Sequence, residues 1–143
     1  MRISTLLAGK GDAVATVSAD MTVTGAVDEL RLHGVGALVV SPDGEHIEGI
    51  VSERDIVRGL SGQVGALLAE PVRSIMTSKV FTCSPDDDVE SLMAVMTERR
   101  IRHVPVVRDG ILSGIVSIGD VVKSRIVELE KDRKELVEYI NAR

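Results

Sequence analysis

The stretch from Thr16 to Gly44, TVSADMTVTGAVDELRLHGVGALVVSPDG, lies over Thr82 to Gly110, TCSPDDDVESLMAVMTERRIRHVPVVRDG, at a constant offset of 66 residues. Thr16, Ser18, Asp20, Val23, Val35, Val40, Asp43 and Gly44 fall on Thr82, Ser84, Asp86, Val89, Ile101, Val106, Asp109 and Gly110. Beyond the Asp-Gly the offset becomes 65, and GIVSERDIVR (Gly49 to Arg58) falls on GIVSIGDVVK (Gly114 to Lys123). The first copy therefore carries one extra residue in its hairpin. A repeat of this length marks one supersecondary unit used twice. Neither copy is expected to bury its sheet alone, so the two should pack together about a pseudo-twofold axis.

Each copy reads in the same order. A polar start, Thr22 in one and Asp86-Asp87-Asp88 in the other, opens an amphipathic helix. Val23, Ala26, Val27 and Leu30 share a face of the first, and Val89, Leu92, Met93 and Met96 of the second. A strand follows, GALVV or RHVPVV, and Asp-Gly turns the chain. A second apolar strand, IEGIV or LSGIV, runs into Ser-x-x-Asp and another helix. Each unit is thus β-α-β-β-α. The expected organisation is a first repeat with the N-terminal segment over residues 1–60 and a linker over 61–79. A second repeat covers 80–125 and a helical extension 126–143. Gly62, Gly65 and Pro71 punctuate the linker, with a short helix over Val64 to Ala69. After Ser117 nothing stops the helix before about Asn141. Along it Val122, Ile126, Leu129, Leu136 and Ile140 form an apolar stripe, interrupted by Arg133, that could cover its own domain or meet a second chain.

Composition narrows the classes. A length of 143 residues suits one compact domain or two small halves sharing a core. One Tyr, one Phe and no Trp make that core aliphatic. No apolar run reaches the ~18 residues of a membrane helix, and the N-terminus is too short in apolar residues for a signal peptide. A cytoplasmic protein is expected. The net charge of −5 argues against broad nucleic-acid binding. Cys83 is the single cysteine, expected as a small buried hydrophobe. His33 and His46 have no convincing metal-ligand spacing, so no metal is expected.

The repeated corner carries the chemistry. Ser at a helix N-cap with Asp three residues on is a capping box, and this alone explains one such motif. A helix N-terminus also offers unpaired N–H groups and a positive dipole end, which suit an anion. The Ser hydroxyl can share a phosphate while the Asp carboxylate accepts from two sugar hydroxyls. A ribose phosphate fits that pair.

From about Ala13 to Lys123 the chain resembles a tandem CBS-domain protein, the arrangement called a Bateman module. The resemblance rests on VSADMTVTGAVDELRLHGVGALVV with GIVSERDIV, and on CSPDDDVESLMAVMTERRIRHVPVV with GIVSIGDVV. It implies an α/β (α+β) fold of two packed pseudosymmetric repeats, here with a long C-terminal helix. It also implies two clefts that often bind AMP, ADP, ATP, NAD or S-adenosylmethionine as regulatory ligands. Carried over residue by residue, the resemblance puts Asp55 on ribose hydroxyls at the first site, with Ser52 and Arg54 by the phosphate. His103 reaches in from the other half, and Lys79, Phe81 and Ile101 line the adenine slot. At the second site Asp120 takes the ribose beside Ser117 and Gly119, with Arg102 on the phosphate. Ala13, Ala15, Val35 and Gly36 border the base there, and Ala37 replaces His103. RRIRH (Arg99 to His103) supplies cations where the first copy has HGVGA (His33 to Ala37), so the sites are expected to differ in affinity or phosphate number. A solvated helix end is the alternative for Arg99 and Arg100, and a core position for Phe81.

No catalytic loop or nucleophile-base pair stands out. The expected function is a regulatory, non-enzymatic module that binds an adenosine-containing small molecule, forms a homodimer, and signals by conformational change to a protein target in trans. The alternative is a ligand-independent dimeric scaffold acting through the C-terminal helix.

Overall fold

A computed structural model describes residues 1–62 and 64–142. The elements run α1 (Ile3–Lys10), β1 (Thr16–Val17), α2 (Val23–His33), β2 (Ala37–Val40), β3 (Gly49–Ser52), α3 (Glu53–Gly59), α4 (Val64–Ala69), α5 (Val89–Arg99), β4 (His103–Arg108), β5 (Ile111–Ser117) and α6 (Ile118–Asn141). A 3-10 turn, Val72–Ser74, lies between α4 and α5. The mixed fold, the short linker helix and the long C-terminal helix all match the sequence expectation.

The repeat is preserved in the register. β1 runs parallel to β2, pairing Val17 with Val40, and β2 runs antiparallel to β3. In the second half Cys83 pairs in parallel with Val106, each 66 residues on, as an isolated bridge beside the β4–β5 hairpin. That hairpin turns on Asp109-Gly110, both at positive φ as a two-residue hairpin turn requires. The first hairpin turns more widely, and there Asp43 accepts from the backbone N–H groups of Glu45 and His46, both at 2.8 Å.

Each half has its own aliphatic core. Val17, Val23, Ala26, Leu30, Leu38, Val40 and Val51 form one. Cys83, Val89, Leu92, Met96, Val104, Val106 and Val116 form the other. Val104, Val106 and Val116 are wholly buried, each worth ~1.5–3 kcal/mol relative to exposure. Val27, expected on the buried face of α2, is instead 39% exposed. The helix is narrower in its contact than the sequence stripe suggests, because Val23, Ala26 and Leu30 carry its buried face.

The chain closes each core with a segment from elsewhere. Ile3, Leu6 and Leu7 of α1 enter the core of the second half, not the first. Val72 enters the core of the first. The two segments make matching backbone bonds. Ile3 N donates to Asp87 O at 2.9 Å, and Val72 N to Met21 O at 2.7 Å. Val89 N donates to Met1 O, and Val23 N to Glu70 O, both at 2.9 Å. Residues 1–7 and 70–76 are therefore equivalent at an offset of 69, a second register superposed on the 66 of the repeat. The glycines that open each Gly-h-h-Ser-x-x-Asp run lie under these closures. A Cβ on Gly49 would stand 2.7 Å from Met76 Sδ, and one on Gly114 would stand 2.9 Å from Leu7 Cδ1. Only glycine lets the closing segment approach that closely.

Candidate functional site

Both Ser-x-x-Asp corners are complete capping boxes. Ser52 Oγ accepts from Asp55 N at 3.3 Å, and Ser52 N donates to Asp55 Oδ2 at 2.9 Å. Ser117 Oγ accepts from Asp120 N at 3.1 Å, and Ser117 N donates to Asp120 Oδ2 at 2.8 Å. The capping bonds land on Oδ2 in both, which leaves Oδ1 for another donor. Each corner is braced against the residue just before the first strand of its hairpin, β2 or β4. Glu53 N donates to Gly36 O at 3.0 Å, and Ile118 N to Arg102 O at 2.8 Å.

Between the halves lies a cavity of about 690 Å³, cavity 1. Ser52, Arg54, Asp55, Lys79, Phe81, Ile101 and His103, the residues assigned to the first site, all line it. Here α3, the extended segment after the 3-10 turn, and the α5–β4 corner converge. Three further cations line it that sequence reasoning did not assign to either site: Arg58, Arg99 and Arg100. Arg54 Nη1 donates to Arg100 O at 3.2 Å, a bond from one half to the other across the cavity wall. Phe81 packs partly against the second core while the Arg99 guanidinium sits 4.9 Å from its ring centre. The core reading of Phe81 thus holds, and the residue also lines cavity 1.

A smaller cavity of about 340 Å³, cavity 2, abuts the first. Ala15, Val35, Gly36, Ala37, Ser117 and Asp120 line it. Arg102 and Gly119, assigned to the second site, line cavity 1 instead, and Ala13 lines neither. The lysine of cavity 2 is Lys10. Its ammonium pairs with Asp120 Oδ2 and donates to Ile115 O at 2.7 Å. Lys10 corresponds to Lys79 in the 69-residue register, whereas the 66-residue register pairs Lys79 with Ala13. The shared apolar-polar-polar-apolar-apolar pattern of ISTLL (Ile3 to Leu7) and VRSIM (Val72 to Met76), with no residue identical, was the faint signal for that second register.

Electrostatics separate the two corners further. Burial raises the Asp120 carboxyl, but hydrogen bonds from Lys10 and Ser117 outweigh it and hold the group below the usual value. His103 stands between the cavities and lines both. Burial pushes its imidazole down, as do the charges of Lys10 and Arg102, against the pull of Glu53 and Asp120. The ring is therefore neutral at pH 7 and can accept or donate a hydrogen bond. Away from the cavities, His33 pairs with Glu29 at 3.0 Å and His46 with Asp43 at 2.6 Å. Cys83 is buried, and burial pushes its thiol up to about 12. No helix among the described residues is long and apolar enough to cross a membrane.

Comparison with known proteins follows the same division. The CBS domain model matches residues 12–62 and again 72–126. The mitochondrial CBS domain-containing protein CBSX3 of Arabidopsis thaliana is 41% identical over 125 residues, 85% of this chain. This chain spans 61% of that relative's length. A CBS-domain containing protein of Agrobacterium tumefaciens has a crystal structure with 42% identity and a TM-score of 0.84, covering 87% of this chain and 99% of that one. A CBS domain protein of Pyrobaculum aerophilum, solved in complex with AMP, is 30% identical with a TM-score of 0.78 over 91% of this chain and 97% of its own. These three are named for the CBS domain.

Proposed function

This chain belongs to the CBS domain family, and on that premise we propose that it is a regulatory module holding an adenosine-containing ligand between its two repeats. The observation that carries this reading is cavity 1. There the Ser52–Asp55 corner of one half faces Ile101 and His103 of the other across a space of about 690 Å³. Asp55 accepts the ribose hydroxyls through the oxygen its capping box leaves open. Phe81 and Ile101 offer apolar surface to adenine, and Arg54 meets the phosphate. The AMP complex of the Pyrobaculum aerophilum protein supports the ligand class.

Cavity 2 is the lesser site in this reading, because Lys10 already holds Asp120. Signalling follows from the placement of cavity 1. Ligand there touches both halves and competes for the Arg54–Arg100 bond, so it favours one relative arrangement of the repeats. It acts as a switch to the extent that it binds the two arrangements unequally. A cytoplasmic homodimer that reports to a protein target in trans completes the proposal.

A second reading has its own observation. Ile126, Leu129, Leu136, Val137 and Ile140 on α6 are each between 47% and 59% exposed. A scaffold using that face would need no ligand.

Thermal melting with AMP, ADP, ATP, NAD and S-adenosylmethionine separates the two. With no Trp and one Tyr, the melt is followed by circular dichroism. A ligand at a hundredfold excess over its Kd stabilises by about 2.7 kcal/mol, several degrees in Tm. No rise with any of the five leaves the scaffold reading in place.

A further inference from the structure

We propose that cavity 1 is built for the polyphosphate form of its ligand, an adenosine di- or triphosphate in preference to the monophosphate. This rests on the adenosine reading above and adds to it the number of phosphates. Six cations line the cavity: Arg54, Arg58, Lys79, Arg99, Arg100 and Arg102. Among the described residues only two carboxylates do, Glu53 and Asp55, and Asp55 is engaged with Ser52. The chain as a whole carries a net charge of −5, so this concentration runs against its composition. Among the described residues, no carboxylate forms a salt bridge with any of the six. One phosphate cannot occupy so many donors. A chain of two or three phosphates can, and the guanidinium fork matches phosphate oxygens two at a time.

The backbone adds an independent observation. Arg100 ends α5 in the left-handed region at φ 56°. Its repeat-mate Gly34 ends α2 at φ 62°, the residue that conformation favours. Among the described residues the other non-glycine at positive φ is Asp109, inside a hairpin turn that demands it. At position 100 the chain accepts an unfavourable backbone and thereby places an arginine, not a glycine, on the wall of cavity 1. Strain of this kind is characteristic of functional sites. Cavity 2, whose lining includes Gly34 and Gly36 at the equivalent positions, has no such cluster.

The test is isothermal titration at fixed salt, without divalent metal, of adenosine, AMP, ADP, ATP and inorganic tripolyphosphate. Affinity is expected to rise along the adenosine series, with ATP at least about tenfold tighter than AMP, since one further charged hydrogen bond is worth that much. Tripolyphosphate is expected to bind more weakly than ATP. Arg100→Gly, which puts at this helix end the residue that Gly34 supplies at the other, should lower the ATP-to-AMP affinity ratio several-fold. AMP and ATP binding equally overturns the polyphosphate proposal and leaves the adenosine reading intact. Absence of binding by every adenosine compound overturns the adenosine reading. Tripolyphosphate binding as tightly as ATP would uphold the phosphate cluster and remove the nucleoside from the reading. An unchanged ATP-to-AMP ratio in Arg100→Gly also counts against the proposal.

Discussion

Three arginines that line cavity 1, Arg54, Arg100 and Arg102, have glycines as repeat-mates: Gly119, Gly34 and Gly36. The lysines differ in pairing instead of residue type. Lys79 lines cavity 1 with no carboxylate paired to it among the described residues, while its counterpart Lys10 is bound to Asp120 in cavity 2. The cause of the second difference lies outside the site. In the first half the closing segment leaves its 3-10 turn and runs extended, so Thr77 exchanges backbone bonds with Ile50 at 2.9 and 3.0 Å. In the second half α1 stays helical to Lys10 and stops at Gly11. The carbonyl of Ile115, equivalent to Ile50, then receives the Lys10 side chain instead of a backbone N–H. One repeat used twice thus yields an open cation-lined cavity and a smaller one with an internal counter-ion. The lesson is that pseudo-symmetry fixes the position of a cavity and not the charges that line it.

The comparison breaks first at the two aspartates. Asp55→Ala is expected to weaken the cavity 1 ligand by about 10- to 100-fold, the worth of hydrogen bonds to a charged acceptor. Asp120→Ala should weaken it by less than about threefold, though each change costs about 1 kcal/mol of capping. Titration calorimetry reads the difference, and equal losses would mean that the two cavities are not distinct in function.

The closures differ next. A Cβ at Gly49 meets both Met76 Sδ and the backbone Thr77 O, the latter at 2.9 Å, whereas one at Gly114 meets only the flexible Leu7 side chain. Gly49→Ala should destabilise by about 1–3 kcal/mol and Gly114→Ala by less than about 1, read by urea unfolding. The opposite order would show that the α1 closure is the tighter one.

A smaller effect compares the helix ends. Arg100→Gly should stabilise the apo protein by about 1 kcal/mol by removing left-handed strain, and Gly34→Arg should cost a similar amount. A destabilised Arg100→Gly protein would place the arginine among the structural contacts of the apo fold.

The smallest is a pH effect at the wall the cavities share. His103 has its folded value below 6.5, so below that pH the unfolded chain binds the extra proton. Stability is then lost as pH falls from 6.5 towards the folded value. His103→Gln should flatten that slope in Tm measured from pH 8 to pH 5.5. An unchanged slope would assign it to other groups.

Much of this was legible beforehand. The 66-residue offset fixed both β-α-β-β-α units, since strand and helix periodicities survive in each copy separately. Ser52–Asp55 and Ser117–Asp120 were readable because a capping box is a local bond pattern within four residues. All seven residues expected at the first site line one cavity, because their elements are placed by the repeat itself. The sequence alone thus determined the two units, their order and the two corners, each through interactions a few residues apart. The tertiary structure decided the rest. It set which half α1 closes, the 69-residue register that puts Lys10 and not Ala13 opposite Lys79, the exposure of Val27, and the move of Arg102 to cavity 1. These depend on which distant segment covers each core, a choice made by packing between segments far apart in the chain that no local pattern records.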